Sequence, residues 1–224
     1  MYKALFFDID DTLLNYRQSS RAALERTCHC FEIPYSEAVF NAFIGIDDKL
    51  WMAQKHGEHT VEDVLRLRFP ALFEHLRLGA YTPAFSPTFE AHMADECAME
   101  SHAAEIIRHV SGKYKLFAAS NGILRMQEKR MAKAGLAEHF EALFVSDNIG
   151  HEKPNPAFFD QCLERSKLRP EEILFIGDSI EADMQGAYNS GIAACWYNKK
   201  GKPHPEGLKI HHTISDLLEL KNII

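Results

Sequence analysis

The sequence lacks three features, each of which would have assigned it to a different class of protein: a long apolar run, a basic stripe and a paired set of cysteines. No stretch approaches the roughly 18 consecutive apolar residues of a membrane span. The first residues lead directly into a short strand-like run, so we expect neither a membrane anchor nor a secretion signal. The formal net charge is −7, which disfavours binding to nucleic acid or to an anionic membrane surface.

The five cysteines are odd in number and scattered along the chain, at positions 28, 30, 97, 162 and 195. Cys28 and Cys30 flank His29, but the spacing of a four-ligand zinc site is missing. We therefore expect all five to be reduced thiols in a cytoplasmic protein.

The chain is long and apolar enough to bury a substantial core, with 224 residues of which 46% are hydrophobic. From about residue 94 onward, short apolar runs alternate with helical patterns, which is typical of a parallel sheet with crossover helices. Together with the first apolar run this predicts five strands, at residues 4–7, 115–119, 143–146, 173–176 and 193–197. We therefore predict an α/β fold with a Rossmann-like parallel sheet as its core.

Residues 15–93 interrupt this alternation, because they show helical periodicity and no strand signal. Ala23, Thr27 and Phe31, for example, recur at four-residue steps on one face of a predicted helix. The sequence thus predicts two domains: an all-helical domain, residues 15–93, inserted into an α/β core formed by residues 1–14 and 94–224.

The sequence of the insert also contains signals for the ends of its helices. Ser36 and Thr60 are predicted N-caps of two helices, and Ser86 before Pro87 is a predicted third. Pro70 lies inside a helical pattern and is expected to bend or interrupt that helix.

The first strand ends in a cluster of acids, Asp8, Asp10 and Asp11. Side chains of a strand repeat their direction every two residues, so Asp8 and Asp10 leave the strand end on the same side. Two carboxylates held that close repel each other, which favours a cation between them. Mg²⁺ takes oxygen ligands and keeps positions open for water and phosphate. An ordinary acidic turn is an equally good interpretation of this stretch taken alone.

Three later polar clusters favour the metal-site interpretation: Ser120-Asn121-Gly122, Lys153, and Asp178 with Asp183. Each follows an apolar run, and the carboxyl ends of strands in an open α/β sheet are where ligands bind. The Ser120 hydroxyl and the backbone N–H groups after it can bind phosphate oxygens, although Ser120 could instead be an ordinary helix cap.

Taken in order, the four clusters resemble the motifs of the haloacid dehalogenase-like hydrolase superfamily: DxDxT, then Ser or Thr, then Lys, then GDxxxxD. The resemblance covers the whole chain and implies a helical cap domain on the α/β core. It also implies a Mg²⁺-dependent phosphatase. In such an enzyme Asp8 attacks phosphorus to form an aspartyl-phosphate, while Asp10 protonates the departing oxygen and later accepts a proton from water.

The resemblance assigns the remaining site residues as well. The metal would be bound by Asp8, Asp178 and a backbone oxygen of Asp10, with Asp183 orienting the metal or its waters from behind. Lys153 would neutralise charge on the phosphate and the nucleophile. The residues assigned to phosphate binding are Thr12 (through the loop that it holds), Ser120, Asn121, Gly122 and Lys153. Asp11 departs from the commoner glycine, and its side chain is expected to point away from the phosphate.

The segments Lys49-Leu50-Trp51 and Cys195-Trp196-Tyr197-Asn198 resemble the bacterial pyrimidine 5′-nucleotidase branch of the superfamily. A nucleoside 5′-monophosphate is therefore the expected substrate. Tyr16, Phe43 and Trp51 are candidates to stack on a base, with packing inside the cap as the alternative for each.

Other functions stay open. They are a phosphatase of sugar phosphates or other small phosphorylated metabolites, a hexose-phosphate mutase, and a catalytically idle phospho-ligand sensor. Asp10 argues against a true dehalogenase, which in this superfamily lacks the second aspartate. Lys199, Lys200 and Lys202 follow the fifth strand, and a solvated loop is the expected state of all three.

Overall fold

The structure is a computed structural model that describes residues 2–224. The chain folds into two compact units: one is the segment up to Asn15 together with Ala98–Ile224, and the other is Tyr16–Cys97. Among the described residues all strands lie in the first unit, whereas the second contains helices only. The expected return to the core at residue 94 falls inside the last helix of the second unit, Phe85–Asp95, and the chain re-enters the first unit at Ala98.

The first unit is built on a parallel sheet of six strands in the order β3-β2-β1-β4-β5-β6. These strands are β1 (Ala4–Phe7), β2 (Lys115–Ser120), β3 (Ala142–Val145), β4 (Ile173–Gly177), β5 (Ala193–Tyr197) and β6 (His212–Ile214). The predicted α/β class and all five predicted strands are confirmed. The strand β6 was missed because, of its three residues, only Ile214 is buried, so the segment carries no apolar run.

The strand β1 lies at the centre of the sheet, between β2 and β4. Leu5 and Phe7 point into one hydrophobic cluster, and Ala4 and Phe6 into the cluster on the opposite face. A strand buried on both faces reads as a continuous apolar run, which is why β1 was recognisable from sequence. The strands β2 and β3 lie on one side of β1, and β4, β5 and β6 lie on the other. The carboxyl end of β1 therefore opens into the crevice where open α/β sheets bind ligands.

The second unit contains four helices: α1 (Tyr16–Cys30), α2 (Glu37–Lys55), α3 (Val61–Leu76) and α4 (Phe85–Asp95). Ser36 and Thr60 are the N-caps of α2 and α3, as predicted, and their hydroxyls accept hydrogen bonds from the N–H groups of Val39 and Asp63. The helix α3 continues through Pro70 rather than ending there. Its apolar face is buried on both sides of that proline, and this burial offsets the lost backbone hydrogen bond.

The predicted cap at Ser86 is wrong. The helix α4 begins at Phe85 with Ala84 as its N-cap, and the Ser86 hydroxyl lies 2.7 Å from the Tyr81 hydroxyl. Phe85 is fully buried and its ring packs edge-on against Phe69, with centroids 5.0 Å apart. Aromatic packing therefore determines where α4 starts, and the polar signal is used in a side-chain contact instead.

Two of the proposed base-stacking residues have structural roles within this unit. Phe43 is fully buried and stacks on Phe69 at a centroid distance of 5.4 Å, so it belongs to the core. The Tyr16 hydroxyl donates a 2.8 Å hydrogen bond to Asp47, a carboxylate with no exposed surface. Burial raises the pKa of Asp47 to about 6, although Arg68, whose Nη1 lies 3.9 Å away, acts to lower it.

The helices of the first unit are α5 (Ala103–Val110), α6 (Leu124–Lys133), α7 (Ser146–Ile149), α8 (Pro156–Ser166) and α9 (Gln185–Asn189). Asn155 is the N-cap of α8, and its side chain accepts a hydrogen bond from the Ala157 N–H. A π-helical turn at Ile180–Met184 precedes α9. A 3₁₀ helix, Leu217–Asn222, follows β6.

No helix within residues 2–224 combines the length and the apolar character that crossing a bilayer would require. All five cysteines are described, and each has a free thiol.

Candidate active site

The predicted polar clusters meet at one edge of the sheet because the register of the strands brings their carboxyl ends together. Phe7, the last residue of β1, pairs with Ala118 of β2 and with Ile176 of β4. Asp8 therefore emerges beside the end of β2, which continues to Ser120, and beside Gly177 at the end of β4.

Lys153 is the buried cation of this edge, with 2% of its surface exposed. Its Nζ donates hydrogen bonds to Asp8 Oδ1 at 2.6 Å, to Asp183 Oδ1 at 2.7 Å and to the carbonyl of Ala119 at 2.7 Å. All three N–H groups of the ammonium thus have partners: the residue that follows β1, a residue of β2 and the turn after β4. The lysine joins the nucleophile candidate to the acidic turn.

The loop that carries Lys153 is held in place by Asn121. The Asn121 side chain accepts a hydrogen bond from the Lys153 N–H at 2.8 Å and donates one to the Lys153 carbonyl at 2.9 Å. Asn121 was predicted to act on phosphate, but its side-chain amide is used here to fix the lysine backbone. The peptide between Lys153 and Pro154 is cis.

Three carboxylates converge next to Lys153. Asp8, Asp178 and Asp183 each offer an oxygen, and these three oxygens lie within 4.8 Å of one another. Asp8 and Asp183 are buried, while Asp178 is partly exposed. The sequence placed Asp183 behind the metal ligands; in the structure its carboxylate belongs to the same cluster, with Oδ1 on Lys153 and Oδ2 accepting from the Ser179 N–H at 3.0 Å.

The electrostatics of the cluster leave negative charge in excess. Burial raises the pKa of Asp8 well above its usual range; Lys153 opposes this, and the nearby carboxylates of Asp183 and Asp178 add to it. Burial alone would lower the pKa of Lys153, but Asp183 and Asp8 raise it above its usual value, so the lysine stays a cation. One ammonium cannot neutralise three carboxylates.

This donor set fits a hard divalent cation. All the donors are carboxylate oxygens, which Mg²⁺ prefers, and three carboxylates outnumber the single ammonium of Lys153. A cation bound there would also favour the ionised form of Asp8 against the effect of burial.

The carboxylate of Asp10 lies outside this cluster. Its Oδ1 accepts a 2.6 Å hydrogen bond from Arg130 Nη1, and its Oδ2 accepts one of 2.7 Å from Gln127 Nε2. The prediction that Asp10 belongs to the metal site could therefore hold only for its backbone oxygen. Sequence reasoning missed Gln127 and Arg130; the signal that could have found them is their three-residue spacing on the helix that follows Ser120-Asn121-Gly122.

Ser120 is buried and does not cap α6, whose N-cap is Ile123. Its Oγ accepts a 3.0 Å hydrogen bond from Gln127 Nε2. The Gly122 N–H, predicted to contact phosphate, donates to Ser146 Oγ at 3.0 Å. Thr12 is fully buried, and its hydroxyl has no hydrogen-bond partner within residues 2–224.

The acidic turn after β4 depends on close packing around it. A Cβ placed on Gly177 would lie 2.3 Å from Asp183 Oδ2, so only glycine fits beside this carboxylate. Trp196 is fully buried, and its indole N–H donates to the carbonyl of Asp178 at 3.0 Å. Gly177 and Trp196 therefore fix the positions of the two aspartates.

The expectation of a solvated loop after β5 holds for Lys200 and Lys202, which are exposed, and is wrong for Lys199. Lys199 Nζ lies 2.5 Å from Glu100 Oε1 and 3.4 Å from Asp11 Oδ1. Asp11 has a positive φ of 59°, and Lys199 binds both its carbonyl and its carboxylate. The contact between Lys199 and Asp11 therefore holds the turn that follows Asp10.

Residues 5–197 match the family model for haloacid dehalogenase-like hydrolases. The chain is 29% identical over 222 residues to the pyrimidine 5′-nucleotidase YjjG of Escherichia coli (strain K12), which covers 98% of this chain and 96% of that protein. It is 28% identical over 199 residues to the pyrimidine 5′-nucleotidase PynA of Streptococcus pneumoniae (strain ATCC BAA-255 / R6), covering 88% and 84%.

Among solved structures, the protein YfnB from Bacillus subtilis, in a form bound to magnesium, is similar over the whole chain. The TM-score is 0.93 and the identity 29%, with coverage of 99% of this chain and 98% of that one.

Proposed function

The chain belongs to the haloacid dehalogenase-like hydrolase family, and on that premise we propose that it is a Mg²⁺-dependent phosphatase of nucleoside 5′-monophosphates. The observation that carries the proposal is the contact of buried Lys153 with both Asp8 and Asp183 beside Asp178. This arrangement supplies a carboxylate nucleophile, a fixed positive charge and a set of oxygen donors within one small volume.

The reaction proceeds in two displacements. A carboxylate oxygen of Asp8 attacks phosphorus, the bond from phosphorus to the nucleoside oxygen breaks, and Asp10 gives that oxygen a proton. Asp10 then takes a proton from the water that attacks the aspartyl-phosphate, which releases inorganic phosphate and restores Asp8. Asp8 is the buried residue at the end of the central strand, so its position is fixed by the sheet.

The other residues bind and orient. Lys153 holds Asp8 and offsets charge on the phosphoryl oxygens, and the Ser120 hydroxyl at the end of β2 donates to one of these oxygens. Asp8, Asp178, Asp183 and the backbone oxygen of Asp10 would hold Mg²⁺. When bound, the ion supplies charge neutralisation for the transferring phosphoryl group.

Asp10 favours phosphate esters over haloacids. A halide leaves without a proton, whereas an alkoxide leaving group needs one, and Asp10 is two residues from the nucleophile and carries a carboxylate. The choice of a nucleotide rests on the resemblance to the pyrimidine 5′-nucleotidases. We assign the helical unit, Tyr16–Cys97, the role of a cap that recognises the nucleoside.

The test is a screen of the purified protein for phosphate release. Its substrates are uridine and thymidine 5′-monophosphate, a set of sugar phosphates, and a 2-haloacid assayed for halide release. Each is run with Mg²⁺ and with a chelator. We expect phosphate release from the nucleotides, and we expect the chelator to abolish it. The Asp8→Asn variant should release no phosphate while staying folded, as measured by circular dichroism.

A preference for sugar phosphates would mean that these compounds, and not nucleotides, are the substrates. A requirement for a sugar bisphosphate activator would indicate a mutase. Halide release without phosphate release, or full activity of Asp8→Asn, would overturn the proposal.

A further inference from the structure

The carboxylate of Asp10 is held by two side chains of one helix, α6. Each carboxylate oxygen has its own donor: Gln127 Nε2 at 2.7 Å and Arg130 Nη1 at 2.6 Å. The two donors are also joined to each other, since Arg130 Nη1 donates to Gln127 Oε1 at 2.9 Å. Gln127 Nε2 in addition reaches Ser120 Oγ at 3.0 Å, so one amide links Asp10 to the end of β2.

Burying Gln127 and Arg130 in the interior costs free energy that apolar side chains would not. Gln127 and Arg130 have no exposed surface, and the Nε and Nη2 atoms of Arg130 are buried without a hydrogen-bond partner within residues 2–224. A buried ion pair is commonly no more stabilising than apolar side chains of the same size, and buried unpaired donors cost free energy. Leu or Met at these positions would pack α6 at lower cost, so packing does not explain these two residues.

We propose that Gln127 and Arg130 are positioning residues that fix the Asp10 carboxylate for proton transfer, a role that rests on the proposed phosphatase function. Neither residue touches the reacting atoms. Their spacing of three places them on one face of α6, and the bond from Gln127 to Ser120 keeps the proton donor in register with a phosphate-binding hydroxyl. Asp10 is 26% exposed at its side chain, so its other face stays open to a substrate.

The proposal predicts a dependence on the leaving group. During the first displacement the bond from phosphorus to the leaving oxygen breaks, the bond from Asp8 to phosphorus forms, and the proton of Asp10 passes to the departing alkoxide. p-Nitrophenolate is stable without that proton, whereas the 5′-alkoxide of a nucleoside is not. A misplaced Asp10 therefore slows cleavage of the nucleotide far more than cleavage of p-nitrophenyl phosphate.

The experiment measures kcat/KM, which reports the steps up to P–O cleavage, for uridine 5′-monophosphate and p-nitrophenyl phosphate. Arg130→Met and Gln127→Met remove the donors and keep the length of the side chain. We expect each to lower kcat/KM for the nucleotide by about a hundredfold, and for the aryl ester by a small factor. Asp10→Asn sets the upper limit of this selectivity, and Glu128→Gln, an exposed change on the same helix, should alter neither rate.

A double-mutant cycle separates positioning from general disturbance of the fold. If Arg130 acts through Asp10, adding Arg130→Met to Asp10→Asn should change the nucleotide rate little further. Should Arg130→Met fail to fold, Arg130→Lys and Gln127→Met carry the test, and the lysine should restore part of the nucleotide rate.

Equal losses on both esters, or additive effects in the cycle, would overturn the positioning role while leaving the phosphatase intact. Wild-type protein that hydrolyses neither ester would instead refute the proposed function, and this inference with it.

Discussion

Replacing Lys153 by methionine should destabilise the protein strongly, because it removes a buried cation that contacts both Asp8 and Asp183. The ammonium is 2.6 Å and 2.7 Å from their carboxylates, and methionine keeps the length of the side chain without the charge. Breaking a buried ion pair from one side costs about 3–5 kcal/mol. Burial already raises the pKa of Asp8, so this carboxyl can take up a proton, and we expect a loss near the lower end, about 3 kcal/mol.

For a chain of 224 residues that loss corresponds to a fall in the melting temperature of roughly 6–12 °C. Thermal unfolding in chelator measures it, with Lys200→Met, a change at an exposed lysine, as the matched control. Mg²⁺ should stabilise Lys153→Met more than the wild type, since a bound ion would replace the neutralising charge that the ammonium supplies in the wild type. A melting temperature within about 2 °C of the wild type, or an equal effect of Mg²⁺ on both proteins, would refute this reasoning.

The other predictions concern single positions. Burial raises the pKa of Asp47 to about 6, so between about pH 4 and pH 6 the native state binds more protons than the unfolded chain. The free energy of unfolding should therefore fall, by about 3 kcal/mol at most, as the pH rises through that range. Asp47→Asn should abolish this pH dependence, which urea unfolding measures. Gly177→Ala should displace Asp183 and lower phosphatase kcat by at least about tenfold; unchanged kcat would show that the turn can relax. Trp196→Phe removes the hydrogen bond to the Asp178 carbonyl and should weaken Mg²⁺ binding by about tenfold, measured by titration calorimetry; equal affinity would exclude the effect. Asp178→Asn should weaken Mg²⁺ binding more than Trp196→Phe does, in the same titration.

The strands, and the polar clusters that follow them, could be predicted from the sequence because they depend on local patterns. A strand buried on both faces, such as β1, must be apolar throughout, and polar residues that follow such strands must meet at one edge of the sheet. Register alone then brings Asp8, Ser120 and Asp178 together, without knowledge of any individual contact.

The contacts that remained hidden depend on tertiary packing of residues whose local signal is ordinary. Gln127 and Arg130 look like polar residues of a surface helix, since the sequence of α6 is polar overall and only Met131 marks its inner face. Lys199 looks like a loop lysine, yet Glu100 and Asp11 approach it from distant parts of the chain. The Ser86 cap failed for a related reason: burial of Phe85 outweighed a capping signal worth about 1 kcal/mol.

The proposed mechanism depends most directly on Asp8 as the residue that takes the phosphoryl group. The decisive measurement is acid quenching of the protein during turnover of a nucleoside 5′-monophosphate with Mg²⁺, followed by mass spectrometry of its peptides. The peptide that contains Asp8 should carry the mass of one phosphoryl group in the wild type, and not in Asp8→Asn. A phosphoryl group on another residue, or turnover with no trapped phosphopeptide under conditions that preserve acyl phosphates, would contradict it.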